Sequence, residues 1–203
     1  MRVLVFVFAL LGGPAAADAV DDVMAAAQAR FAKMPSLVMV DQIAGQCGAD
    51  DGVHLGVAYC TSKRQILMTE AARATPQAPY LVAHLLGHAI QVRHGVADVA
   101  LATIRGDRRQ EPLYRQNVEQ MVDCIAGLLV FQAGLGPSNL TVWFDGDPFD
   151  GPHWGRNPLS EGPVVTLPLG MRNDWYRRGQ GGYLAACATK VFPVDLLLEA
   201  YQD

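Results

Sequence analysis

Glu119 and Asp123 stand one helical turn apart inside Val118-Glu119-Gln120-Met121-Val122-Asp123-Cys124-Ile125-Ala126-Gly127, a largely apolar stretch. A carboxylate drawn out of water among such neighbours needs a partner, such as a metal ion or a histidine N–H. The chain offers both routes. His84 and His88 lie four residues apart in His84-Leu85-Leu86-Gly87-His88, the middle of another helical segment, and share one face with Gln91. Two imidazoles one turn apart have the spacing with which one rigid helix grips a zinc ion. The simpler readings are histidines that pack or cap, and an acidic i,i+4 pair on a solvated helix edge. The apolar residues around Glu119 and Asp123 weigh against the solvated edge.

The first residues bear on the compartment. Met1-Arg2, the apolar run Val3 to Leu11, Gly12-Gly13-Pro14 and Ala15-Ala16-Ala17 read as a secretory signal peptide, residues 1–17, cleaved near Ala17-Asp18. The run is short for a bilayer core of about 30 Å, although an uncleaved N-terminal anchor is the alternative. Residues 18–203 then form a single exported domain, periplasmic or secreted, with no membrane span after cleavage. Outside the reducing cytosol the four cysteines pair by default, in any of three connectivities. Sixteen Lys and Arg against twenty Asp and Glu give a net −4, and loss of Arg2 leaves −5. That balance argues against a nucleic-acid partner and leaves no surplus for coating an anionic membrane.

Patterning predicts an α+β domain, mainly helical with a small sheet. Asp18 to Lys33 reads as a helix stopped by Pro35, and residues 36–43, 57–59 and 65–68 as short strands. Thr75-Pro76 is expected to open the helix that carries His84 and His88, with Gly95 closing it and His94 as a C-terminal cation. Leu113 to Gly134 reads as the second long helix, and Arg172 to Arg178 and Val194 to Tyr201 as later ones. Residues 145–163 have loop composition, and a structureless stretch of that length tends to be functional. Arg105-Gly106-Asp107 reads as a solvated turn between helices, and Arg177-Arg178 as exposed.

In order along the chain stand Cys47-Gly48, Tyr59-Cys60, His84-Leu85-Leu86-Gly87-His88 with Gln91, Glu119 to Gly127, Arg172 with Trp175-Tyr176 and Gly179, and Ala186-Cys187-Ala188-Thr189. As an ordered set over roughly residues 40–192, this resembles the bacterial neutral zinc metallopeptidases, whose pattern runs C-G, Y-C, H-E-x-G-H-x-x-Q, E-L-Q-A-D-C-x-A-G, R-x-x-W-F-x-x-G and A-C-D-T-F. The resemblance implies a zincin-like site in which His84, His88 and Glu119 bind Zn2+ and Asp123 orients a ligating histidine. It also implies disulfides Cys47–Cys60 and Cys124–Cys187, and assigns Trp175 and Tyr176 to core packing.

One departure matters most. The family has Glu directly after the first histidine, as the general base that takes a proton from zinc-bound water; this chain has Leu85. Lys63 and Thr69 replace two further family acids, and Thr166-Leu167-Pro168-Leu169-Gly170 lacks the histidine of a T-H-G block. The first expectation is therefore a zinc-binding but catalytically impaired relative, a binding or regulatory module that takes a peptide or protein ligand. The second is an active peptidase using a substitute base, with His153 or Glu70 as candidates. The third is a metal-free structural domain in which His84 and His88 hydrogen-bond to Glu119 and Asp123.

Overall fold

The computed structural model describes residues 18–49, 53–151 and 165–202. The signal-peptide reading, most of the 145–163 loop and His153-Trp154 lie outside those residues. The architecture is α+β and mainly helical. Helices α1 (Ala19–Arg30), α2 (Glu70–Arg73), α3 (Ala78–Arg93), α4 (Val96–Gly106), α5 (Glu111–Gln132), α6 (Leu169–Gly179) and α7 (Asp195–Ala200) surround strands β1 (Ser36–Met39), β2 (Val57–Cys60) and β3 (Gln65–Met68).

Asp18 caps α1 by accepting from the Val20 N–H at 2.8 Å. The helix stops earlier than Lys33 because Phe31 turns to extended backbone and buries its ring. The sheet runs in the order β1, β3, β2, with β1 parallel and β2 antiparallel to β3. The disulfide Cys47–Cys60 ties the loop after β1 to the end of β2.

Thr75-Pro76 does not open α3. Thr75 Oγ1 donates to the Ala72 carbonyl at 2.7 Å, which makes a turn after α2, and α3 starts at Ala78 with Pro79 in its first turn. A missing N–H is as harmless there as at position 76. Gly95, at φ +83°, ends α3 as expected, but α4 follows at once. Arg105 and Gly106 therefore belong to the end of α4, and Asp107 accepts from the Arg109 N–H at 3.2 Å. His94 is no favoured cation either. Its ring lies 5.6 Å from that of Phe31, and burial, with Arg93 and Lys33 nearby, lowers its pKa.

Helix α5 packs against both α3 and α6 and runs through the core. The α5–α6 contact is backbone against backbone. A Cβ on Gly127 would lie 1.9 Å from the Tyr176 carbonyl oxygen, and one on Gly179 would lie 1.8 Å from that of Cys124. Glycine is required at both places by proximity alone. The second disulfide, Cys124–Cys187, fastens the C-terminal segment to α5. Tyr176 is buried as expected; Trp175 is half-buried under the Arg178 guanidinium, 4.1 Å from its ring, and Arg177 and Arg178 are exposed. Among the described residues no helix is long and apolar enough to cross a membrane.

Candidate metal centre

Tyr80, His84, His88 and Gln91 follow one another at spacings of four, four and three, the stripe by which α3 faces α5. Helix α5 brings Glu119 and Asp123 to that stripe. His84 Nδ1 is 3.0 Å from Asp123 Oδ1. An ionised carboxylate only accepts, so Nδ1 carries the proton and the Nε2 lone pair is left facing inward. There His84 Nε2 meets His88 Nε2 at 3.1 Å and Glu119 Oε2 at 3.6 Å, and His88 Nε2 lies 3.5 Å from Glu119 Oε1.

The 3.1 Å between the two Nε2 atoms is a hydrogen-bond distance, and the His84–Asp123 bond is one that the metal-free reading expects as well. The two imidazole to carboxylate distances exceed the range of about 2.7–3.2 Å for an N–H···O hydrogen bond. Two ligands on a tetrahedral zinc ion, each about 2.0–2.1 Å from it, lie about 3.3 Å apart. One donor atom each from His84, His88 and Glu119 lies within 4.8 Å of the others, and the group could hold a metal ion. Two imidazole nitrogens and a carboxylate oxygen are a donor set that suits zinc.

Behind the group lies a buried ionic network. Asp123 accepts from Tyr80 Oη and from Arg172 Nη1, both at 2.9 Å. Arg172, from α6, also donates through Nε and Nη2 to the two oxygens of Asp147, at 2.6 and 3.3 Å, and its Nη1 is 3.4 Å from Glu119 Oε2. Asp147 further accepts the N–H groups of Phe149 and Leu167 at 2.9 and 2.8 Å. The Phe149 ring stacks on the His84 imidazole with centroids 3.6 Å apart and planes 13° from parallel. His84, His88, Asp123 and Arg172 have fully buried side chains, and that of Glu119 is 14% exposed.

Electrostatics follow from that enclosure. Burial pushes the Glu119 carboxyl up to about 7, against the pull of Arg172 and with Asp123 and Asp147 adding to the rise. Burial, then the charge of Asp123, holds the Tyr80 hydroxyl well above its ordinary value. For Arg172, burial works against the charge, but Asp123 and Glu119 outweigh it and the guanidinium stays protonated.

The structure brings together His84, His88, Glu119 and Asp123. Gln91 shares their face but donates to the Val118 carbonyl at 3.1 Å, tying α3 to α5. Leu85 is fully buried in the core, and Glu70 is exposed in the first turn of α2. Four residues of the site were given no role there by the sequence. Tyr80 was readable, since it extends the histidine stripe by one turn. Arg172 stood only as a motif position, and Asp147 and Phe149 were hidden in loop composition.

Fold and site together define an α+β domain with a buried His-His-Glu group able to hold a metal ion. Compared with models of known protein families, with curated proteins and with solved structures, the chain matches none.

Proposed function

We propose that this chain is an exported, divergent relative of the bacterial neutral zinc metallopeptidases that holds zinc through His84, His88 and Glu119 and has lost efficient peptide hydrolysis. The reading is carried by one observation: two imidazole nitrogens and one carboxylate converge at 3.1–3.6 Å, too far apart for hydrogen bonds to the carboxylate and close to the edges of a zinc tetrahedron. The ordered motifs and the two disulfides agree with it.

When bound, zinc supplies Lewis acidity and lowers the pKa of a coordinated water. The chain's own residues would do the holding. Asp123 fixes the His84 tautomer, and Tyr80 and Arg172 fix Asp123. Leu85, where the family has its base, neither accepts nor donates a proton, and a missing base costs about 10²–10⁴ in rate. The role that remains is binding or regulation, with a peptide or protein ligand as the partner.

Elemental analysis of protein purified without chelator tests the metal, and a casein or fluorogenic-peptide assay tests the chemistry. The expected result is one zinc per chain in the wild type, none in His88→Ala, and no chelator-sensitive turnover. Turnover gained in Leu85→Glu alone assigns the loss to the base. Absence of zinc from the wild type even after reconstitution overturns the reading in favour of a structural domain. Wild-type turnover that His88→Ala abolishes overturns the impairment.

A further inference from the structure

Lys33, Lys63, Arg64 and Arg93 gather at the C-terminal end of α3. Phe31, the residue that stops α1, puts its ring 5.6 Å from that of His94, and Lys33 follows two residues later. The same connection runs on to Ser36, whose N–H donates at 3.2 Å to the carbonyl of Arg64 in the turn between β2 and β3. Arg93, the last residue of α3, lies between these two segments. Its charge acts on His94 together with that of Lys33, and on Tyr59 together with that of Arg64. Lys63 precedes Arg64, at one of the positions where the chain departs from the family it resembles, with a cation in place of an acid. Lys33, Lys63 and Arg64 are exposed, and Arg93 is half-buried.

Cations that tie this fold together have acidic partners. Arg73 pairs with Asp18 and Asp21, Arg115 with Glu111, and Arg172 with three carboxylates. Among the described residues, none of Lys33, Lys63, Arg64 and Arg93 is in an ion pair, and the buried Nε of Arg93 has no acceptor. No carboxylate is among the charges that act on Tyr59 or His94. The C-terminal end of α3 supplies only about half a negative charge, which four cations exceed several-fold. The result is a positive island on a chain of net −4, whose more distant acids are screened beyond a Debye length of about 8 Å. We infer that Lys33, Arg93, Arg64 and Lys63 form a docking row for an acidic segment of a protein partner. Charges spread over three separate segments suit an extended chain with several carboxylates better than one small anion, and the acidic surplus elsewhere opposes a whole face lying on an anionic bilayer. The inference goes beyond the zinc reading and does not depend on it.

The experiment measures binding of a fluorescein-labelled oligoglutamate peptide to the full chain by fluorescence anisotropy, at low and at physiological salt, with and without zinc. The expected result is a saturable complex that salt weakens and zinc leaves unchanged. Lys33→Glu combined with Arg64→Glu should weaken it about tenfold, since each reversal removes an attraction and adds a repulsion at an exposed site. Arg105→Glu combined with Arg177→Glu makes the same change in net charge at exposed cations outside the row, and should leave affinity within about twofold. Circular dichroism checks that both double variants fold; if the first does not, Lys63→Glu takes its place. Equal weakening by both pairs means that only net charge is read. Displacement of the peptide by inorganic phosphate no more concentrated than the peptide's carboxylates means that a lone anion suffices. Phosphatidylglycerol vesicles that co-sediment the chain when the peptide does not bind assign the row to lipid. Each of these results, or no peptide binding at low salt, overturns the inference and leaves the zinc reading untouched.

Discussion

Arg172→Met keeps an unbranched stem of about the length of the arginine's aliphatic part and removes the guanidinium charge from between three carboxylates. Arg172 has no exposure, and it contacts Asp123 at 2.9 Å, Asp147 at 2.6 Å and Glu119 at 3.4 Å. With both histidines neutral, the ionised site carries a net −2 from Glu119, Asp123, Asp147 and Arg172, and the substitution makes it −3. Breaking a buried ion pair by removing one partner costs about 3–5 kcal/mol. For a domain of this size each kcal/mol moves Tm by about 2–4 °C, so the zinc-free variant should melt on the order of 10 °C lower. A divalent cation changes the arithmetic. Loaded, the same groups carry 0 in the wild type and −1 in the variant, and a self-energy that grows as the square of net charge makes the penalty roughly five times smaller than without the ion. The assay is thermal unfolding of both proteins at pH 8, above the Glu119 value of about 7, with EDTA or with saturating zinc. An equal Tm loss in both conditions would refute the reasoning, because it would mean that the ion does not sit among these carboxylates.

Zinc must displace the proton that burial keeps on Glu119 up to about pH 7, so apparent affinity should fall about tenfold per unit below that pH and level off above it. Calorimetric titration between pH 5.5 and 8 checks this; a flat profile would exclude Glu119 as a ligand. The sign for stability without zinc is opposite. A carboxyl raised from its ordinary 4.5 contributes stability that is present below about 4.5 and lost as pH rises through about 7. Of the two disulfides, Cys124–Cys187 closes 63 residues and Cys47–Cys60 closes 13, which corresponds to about 4 and about 3 kcal/mol in the chain-entropy account. Replacing the first pair with alanine should lower Tm more and weaken zinc retention, because that bond anchors the ligand-bearing α5. Replacing the second should leave retention unchanged, and the reverse order would contradict the role given to α5.

What could be read from the sequence was whatever repeats with a helical period or sits at a helix end. His84 and His88 are one turn apart, as are Glu119 and Asp123, and each pair lies in an apolar segment that has to be buried; those facts alone place four polar groups between two helices. The boundaries were harder where two local rules compete. Pro76 and Pro79 are equally good helix openers, and only the Thr75 turn decides for the later one. Helix α4 escaped because Gly95 reads as a stop, and a stop carries no information about a helix that starts in the next residue. Asp147 and Phe149 were unreadable for a different reason. Their segment has no period, and their importance comes from contacts with residues 84 and 172, distant in the chain.

Leu85 and Phe149 bear on the function together. A general base has to meet both a proton and a water molecule, so its position cannot be wholly dry in a working hydrolase. Leu85 is fully buried, and a leucine so placed contributes about 1.5–3 kcal/mol through apolar burial. Phe149 likewise puts carbon against the face of His84. The polar groups that remain have holding roles: Asp123 sets the His84 tautomer, Tyr80 and Arg172 set Asp123, and Asp147 sets Arg172. The group able to hold an ion has a complete set of supports, while Leu85, where the resemblance puts the base, is apolar. On the zinc reading, that asymmetry makes retention of a metal, more than turnover, the property by which this domain should be measured.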